Sequence, residues 1–175
     1  MRPFVQRLTR LSLYLLSLVF ASCAPPNTDP SKSLSIIASS YYAKSDTYKP
    51  ENVLDGDDKT AWAAHGSGPA ELTITPKHSG VLESIRLVAR QTGMLETWQK
   101  VVVKLYLKDS KVSEQTFTLS NAATERLQNI TLQPVETDKI QLDFSDPVTT
   151  TLTGQTVSPA AVNPGYAEVV LNWKR

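Results

Sequence analysis

The sequence predicts an all-β domain, an eight-stranded antiparallel β-sandwich of the jelly-roll kind. Three observations predict it: eight short β-branched or alternating runs, turn residues between them, and almost no apolar spacing of helical period. The runs extend from Leu34 to Lys174 with no internal repeat and no low-complexity tract. That is about 140 residues, a common size for a single core.

The runs follow in order. "LSIIASS" (34–40) and "AELTITP" (70–76) are short and β-branched, and a long irregular segment separates them. In "VLESIRLVAR" (81–90) and "KVVVKLYLK" (100–108) apolar side chains recur at every second position, the period of a strand with one face buried. "VSEQTFTLS" (112–120), "LQNITLQP" (127–134) and "DKIQLDFSD" (138–146) repeat the alternation, and "YAEVVLNWK" (166–174) closes the chain. Eight such strands suit a sandwich whose first and last strands lie close enough to share a site.

Ahead of the domain, Arg2, Arg7 and Arg10 precede an apolar run from Leu11 to Phe20, followed by small residues. This is the three-part pattern of a secretory signal, and the run is about half the roughly 20 residues of a membrane-spanning helix. Residues 1–22 are expected to be removed. The single cysteine, Cys23, ends "FASC", which resembles the lipobox of bacterial lipoproteins. That resemblance implies lipidation of Cys23, and with Ala24 following it, an outer-membrane location in the bacterial cell envelope. The alternative is a free thiol beside a cleavage site, but such a thiol has no partner in an oxidising compartment. Residues 23–33, rich in proline and small polar residues, read as a lipidated linker, and 34–175 as the folded domain.

Without the three leader arginines, 15 basic residues stand against 17 acidic ones, a net charge of −2. No basic patch or run of like charge points to nucleic acid or to anionic lipid, so contact with a membrane is expected through the lipid anchor alone.

The segment "PENVLDGDDKTAW", Pro50–Trp62, holds four carboxylates beside apolar Val53, Leu54 and Trp62. It is not an EF-hand: with Asp55 as first ligand, the sixth position would be Thr60 rather than Gly and the twelfth Gly66 rather than Glu. Two readings remain. "DGDD" is ordinary composition for a solvated turn. Alternatively, Asp55, Asp57 and Thr60 within six residues can supply the mixed oxygens that a hard cation needs, with Gly56 allowing the tight turn.

Asn52–Trp62 also resembles the signature loop of discoidin domains, the coagulation-factor type C group that includes galactose-binding-like carbohydrate-binding modules. "LESIRLVAR" resembles that group's central strand and "YAEVVLNW" its closing strand. The likeness runs from about Ser39 to Trp173, and "YKPENVLDGDDKTAW" is most similar to NADase-type glycan-binding domains of bacterial secreted and lipoprotein chains. The resemblance implies a galactose-binding-like jelly roll with a structural calcium and a ligand-binding end made of loops. It assigns the calcium to the carbonyls of Asn52, Asp57 and Ala167, the carbonyl and hydroxyl of Thr60, and the carboxylates of Asp55 and Glu168. Asp58 and Lys59 would face solvent, and Trp62 would anchor the loop in the core.

For the ligand face, galactose-binding relatives use a histidine shortly after the tryptophan, an arginine ending the central strand, a nearby amide or acid, and a loop aromatic. His65, Arg90, Glu96 and Trp98 stand near those places, and Tyr41, Tyr42 and Tyr48 add aromatic faces. Aromatic faces stack on sugar C–H surfaces while charged and amide groups bind hydroxyls, so the residue types fit. Each aromatic also has a plain role as core or loop packing. Arg90 would end one strand and Trp98 precede the next, placing both at one edge of a hairpin-like pair with Trp98 as the wall of a shallow groove.

No G-x-S-x-G elbow, H-E-x-x-H pair or phosphate loop occurs. Asp55 and Glu168 could act on a glycoside as a carboxylate pair, but groups that ligate an ion are unavailable for acid–base work. The expectation is a non-catalytic module that binds a glycan or cell-envelope polysaccharide. The alternative is a structural or protein-interaction lipoprotein on the same scaffold, with a protein partner and a broad apolar patch in place of a groove.

Overall fold

The computed structural model describes residues 33–91, 93–119, 125–151, 156–157 and 163–174. The leader, Cys23 and the linker lie outside these residues.

Ten strands are described: β1 (Leu34–Ala38), β2 (Trp62–Ala63), β3 (Ala70–Pro76), β4 (Gly80–Ala89), β5 (Met94–Leu107), β6 (Ser110–Thr118), β7 (Leu127–Thr137), β8 (Lys139–Thr151), β9 (Thr156–Val157) and β10 (Gly165–Trp173). All eight sequence runs form strands. The additional β2 and β9 have two residues each, too short for any period to show. Pairing is antiparallel throughout, in two sheets. One has the order β1-β3-β8-β5-β6 with β9 on β8, and the other the order β2-β10-β4-β7.

Alternation decides which side chains meet between the sheets. In β5, Val101, Val103 and Leu105 point inward while Lys100 and Lys104 point out. In β4, Ile85 and Leu87 face them from the other sheet. Leu72, Ile74, Ile140, Leu142 and Val169 fill the middle of the same core. At one end it is closed by four stacked rings, in which Trp98 lies 5.5 Å from Trp62, 5.0 Å from Phe144 and 5.7 Å from Tyr166.

Two expectations are corrected here. Strands β4 and β5 belong to different sheets and do not pair as a hairpin; an isolated antiparallel bridge, Gln91 to Leu95, stands between them. Trp98 lies inside β5 rather than before it, is fully buried, and donates its indole N–H to the Gly68 carbonyl at 3.3 Å. A ring enclosed in this way has no face to offer a ligand, so Trp98 plugs the core beside Trp62 and is not a groove wall.

Candidate functional site

The loop between β1 and β3 is built from three short 3-10 turns, Tyr42–Lys44, Asp46–Tyr48 and Pro50–Leu54. Pro50 starts the last turn with its φ already suited to helix, and buried Val53 fastens that turn to the core. The Asn52 side-chain amide, also buried, donates to the carbonyls of Thr47 (2.8 Å) and Ala61 (3.1 Å), tying the turns to β2.

After Leu54 the chain folds tightly. Gly56 has φ +77°, a left-handed conformation that favours glycine. The Asp57 and Lys59 amides donate to the Asp55 and Asp57 carboxylates, at 2.9 and 3.0 Å. Around the Thr60 hydroxyl lie Asp55 Oδ2 at 2.8 Å, the Asp57 carbonyl at 2.9 Å and the Asn52 carbonyl at 3.4 Å. The hydroxyl carries one proton for these three acceptors, of which the Asp57 carbonyl also accepts from the Thr60 amide at 3.1 Å.

Strand β10 brings a further carboxylate to this place. The register of β10 against β4 shifts between Tyr166 and Glu168, leaving Ala167 as a bulge. A bulged residue drops out of the ladder and re-aims its neighbours. Ala167 consequently borders the same cleft as Asn52 and Thr60, and Glu168 turns toward Asp55. Glu168 is 9% exposed, and its Oε1 has no hydrogen-bond partner. Burial, reinforced by the adjacent Asp55 carboxylate, pushes the Glu168 carboxyl up to about 7.

Among the described residues no three His, Cys, Asp or Glu side chains gather as a metal-binding group. The donors here are of mixed type: two carboxylates, a hydroxyl and backbone carbonyls. A surplus of oxygens over protons, with an orphaned buried carboxylate oxygen, is the chemistry that a hard cation satisfies. Asp58 faces solvent as expected, with 60% of its side chain exposed, and is also gripped by Arg126.

Beside this loop, Arg90 follows β4 and is 89% buried by its side chain's 11% exposure. Its Nη2 pairs with Glu96 and donates to the Asn163 carbonyl at 2.7 Å, and its guanidinium carbon lies 5.7 Å from the centre of the Tyr48 ring. Tyr48 meets Tyr42 edge to face at 5.6 Å, and Tyr42 lies 6.4 Å from His65. The expected residues Arg90, Glu96, His65 and Tyr42 therefore form one continuous row, with Tyr48 as the link. Tyr41 is half-buried and packs on the core beneath it.

Two depressions flank the row. A cleft of about 440 Å³ is bordered by Tyr48, Lys49, Lys59, Thr60, Arg90 and Gln91. A smaller pocket of about 320 Å³ is bordered by Ser40, Tyr41, Lys44 and His65. Tyr42 stands 40% exposed, and the two residues after it, Ala43 and Lys44, both hold positive φ, 54° and 48°. Neither is a glycine, and such strain costs on the order of 1–2 kcal/mol per residue, so the surrounding structure must hold it.

A family model described as F5/8 type C domain matches residues 35–155. No curated protein matches the chain. Among solved structures, the chain is similar to the family 32 CBM (carbohydrate-binding module) of C. perfringens NanJ in complex with galactose, at 17% identity and TM-score 0.57, covering 81% of this chain and 95% of that one. It is similar to CBM32-3 from a family 31 glycoside hydrolase of Clostridium perfringens, at 20% identity and TM-score 0.63, covering 83% and 94%. It is also similar to chitosan-binding module 1 from a chitosanase/glucanase of Paenibacillus sp. IK-5, at 11% identity and TM-score 0.59, covering 79% and 93%.

Proposed function

The chain belongs to the F5/8 type C family, and from that premise we propose that it is a non-catalytic glycan-binding module whose ligand seat is the loop end carrying Tyr42, Tyr48, His65, Arg90 and Glu96. The observation that carries the reading is the exposed Tyr42 ring, held on strained backbone in a row with a half-buried arginine–carboxylate pair. A sugar ring needs one flat apolar surface and a few fixed polar groups. Tyr42 supplies the surface. Arg90, oriented by Glu96 and the Asn163 carbonyl, supplies donors that do not have to be ordered on binding. Galactose and chitosan, named with the similar modules, are the first ligands to try.

The same reading includes a structural calcium held by Asn52, Asp55, Asp57, Thr60, Ala167 and Glu168. When bound it would supply the positive charge that the oxygen cluster lacks. It also includes attachment to the outer membrane through lipid on Cys23. Replacing Cys23 with Ser is expected to move the protein from the membrane fraction to the soluble one, and retention in the membrane would refute the anchor.

Calorimetric titration with galactose, and with whichever glycan an array identifies, tests the seat. Tyr42→Ala and Arg90→Ala are each expected to weaken binding by at least about ten-fold, the scale of one lost stacking or charged hydrogen-bonding group. Unchanged affinity in both variants would place the seat elsewhere.

A further inference from the structure

We propose that Arg126 is a positioning residue that clamps the cation loop to the strand end carrying Arg90, so that filling the cation site stiffens the ligand cleft. The inference rests on the reading of Asn52–Thr60 as a cation loop.

Arg126 stands just before β7, and nothing in its local sequence distinguishes it from an ordinary surface arginine. Its guanidinium nevertheless serves two elements at once. Nε donates to the Ala89 carbonyl at 2.9 Å, while Nη1 donates to Asp58 Oδ2 at 3.0 Å and Nη2 to the Asp58 carbonyl at 2.9 Å. The Ala89 amide donates back to the Arg126 carbonyl at 2.8 Å. Three hydrogen bonds from one planar group and a fourth to the backbone of the same residue therefore join the tip of the loop, the end of β4 and the entry to β7.

Both ends of this clamp matter for the sites. Asp58 follows Asp57, whose carbonyl faces the Thr60 hydroxyl, and Asp58, Lys59 and Thr60 border the same cleft as Arg90. Ala89 precedes Arg90, whose own amide bonds the Gly165 carbonyl at 3.2 Å, two residues before the Ala167 bulge. Arg90 is thus gripped on one side through Ala89 and on the other through β10, and both grips end at the cation loop. A lone exposed ion pair would hold little. This one is bidentate on a single residue and shares its guanidinium with a backbone carbonyl, which fixes orientation as well as distance. A lysine at 126 would keep the charge but lose the fork that reaches three acceptors.

Hydrogen–deuterium exchange at the Ala89 and Arg90 amides of the full chain, titrated with calcium, reads this coupling without any glycan. In the wild type, calcium is expected to slow exchange at both amides by about 5-fold or more, the usual lower range of coupling between sites. Arg126→Lys and Asp58→Asn are expected to cut that slowing below about two-fold, while the calcium-dependent rise in melting temperature, which needs only the site's own oxygens and neither of these side chains, persists. Should Arg126→Lys fail to fold, Asp58→Asn still decides, because it leaves the bonds between Arg126 and Ala89 in place. Equal slowing in the wild type and the variants would overturn the clamp. A wild type whose melting ignores calcium would overturn the cation reading, and the coupling with it.

Discussion

Two tryptophans and two tyrosines show how little residue type says about role until burial is known. Trp62 and Trp98 stack at 5.5 Å with no exposed surface, while Tyr42 and Tyr48 meet at 5.6 Å above the core with Tyr42 40% exposed. The tryptophans therefore contribute stability, and the tyrosines are those proposed to contribute recognition. Trp98→Ala is expected to cost about 3–5 kcal/mol of unfolding free energy, the range for a large aromatic removed from a packed core. Denaturant unfolding would show it as a fall in midpoint with little change in slope. Tyr42→Ala is expected to leave the midpoint nearly unchanged, so a large stability loss there would mean that its ring is structural.

Among the elements, β10 organises the site, because its two irregular positions do different jobs. The bulge at Ala167 turns Glu168 toward Asp55 and brings the Ala167 backbone to the cleft. Gly165, two residues earlier, lets β10 approach β2: a Cβ added there would lie 2.1 Å from the Trp62 carbonyl oxygen and 2.9 Å from the Ala63 Cα. Both neighbours are backbone, so neither can swing aside. Gly165→Ala is accordingly expected to break the β2–β10 pairing and cost at least the 1–3 kcal/mol typical of overpacking. Exchange of the Ala64 amide, bonded to the Pro164 carbonyl at 2.9 Å, should accelerate with it. Retained protection at Ala64 and unchanged stability would show that the strand tolerates the methyl group.

At the scale of the whole molecule, the loop proposed to hold a cation lies against the last strand at Glu168. An ion that binds only the folded chain stabilises it by mass action, by about 2.7 kcal/mol at 100 times its dissociation constant. Calcium is expected to raise the melting temperature and a chelator to lower it, while Asp55→Ala and Glu168→Ala remove the difference. Glu168→Ala also relieves a buried carboxyl crowded against Asp55, so in chelator this variant is expected to be at least as stable as the wild type. Melting curves that ignore both calcium and chelator would refute the site.

The strand runs, the single core and the oxygen-rich loop were all legible in the sequence, because each depends on neighbours along the chain: alternation at every second residue, and Asp55, Asp57 and Thr60 within six positions. The sides chosen by Trp98 and Arg126 were not legible. Trp98 looked like a loop aromatic because its neighbours do not reveal that β4 and β5 lie in opposite sheets, and only that crossing turns its ring into the space between them. The grip of Arg126 on Asp58 spans 68 residues, and the contact of Arg90 with Asn163 spans 73. Local pattern determines which residues face the core of a sheet. Which loops meet at its rim is decided by sheet order and register, and these are set by the packing of the whole chain at once.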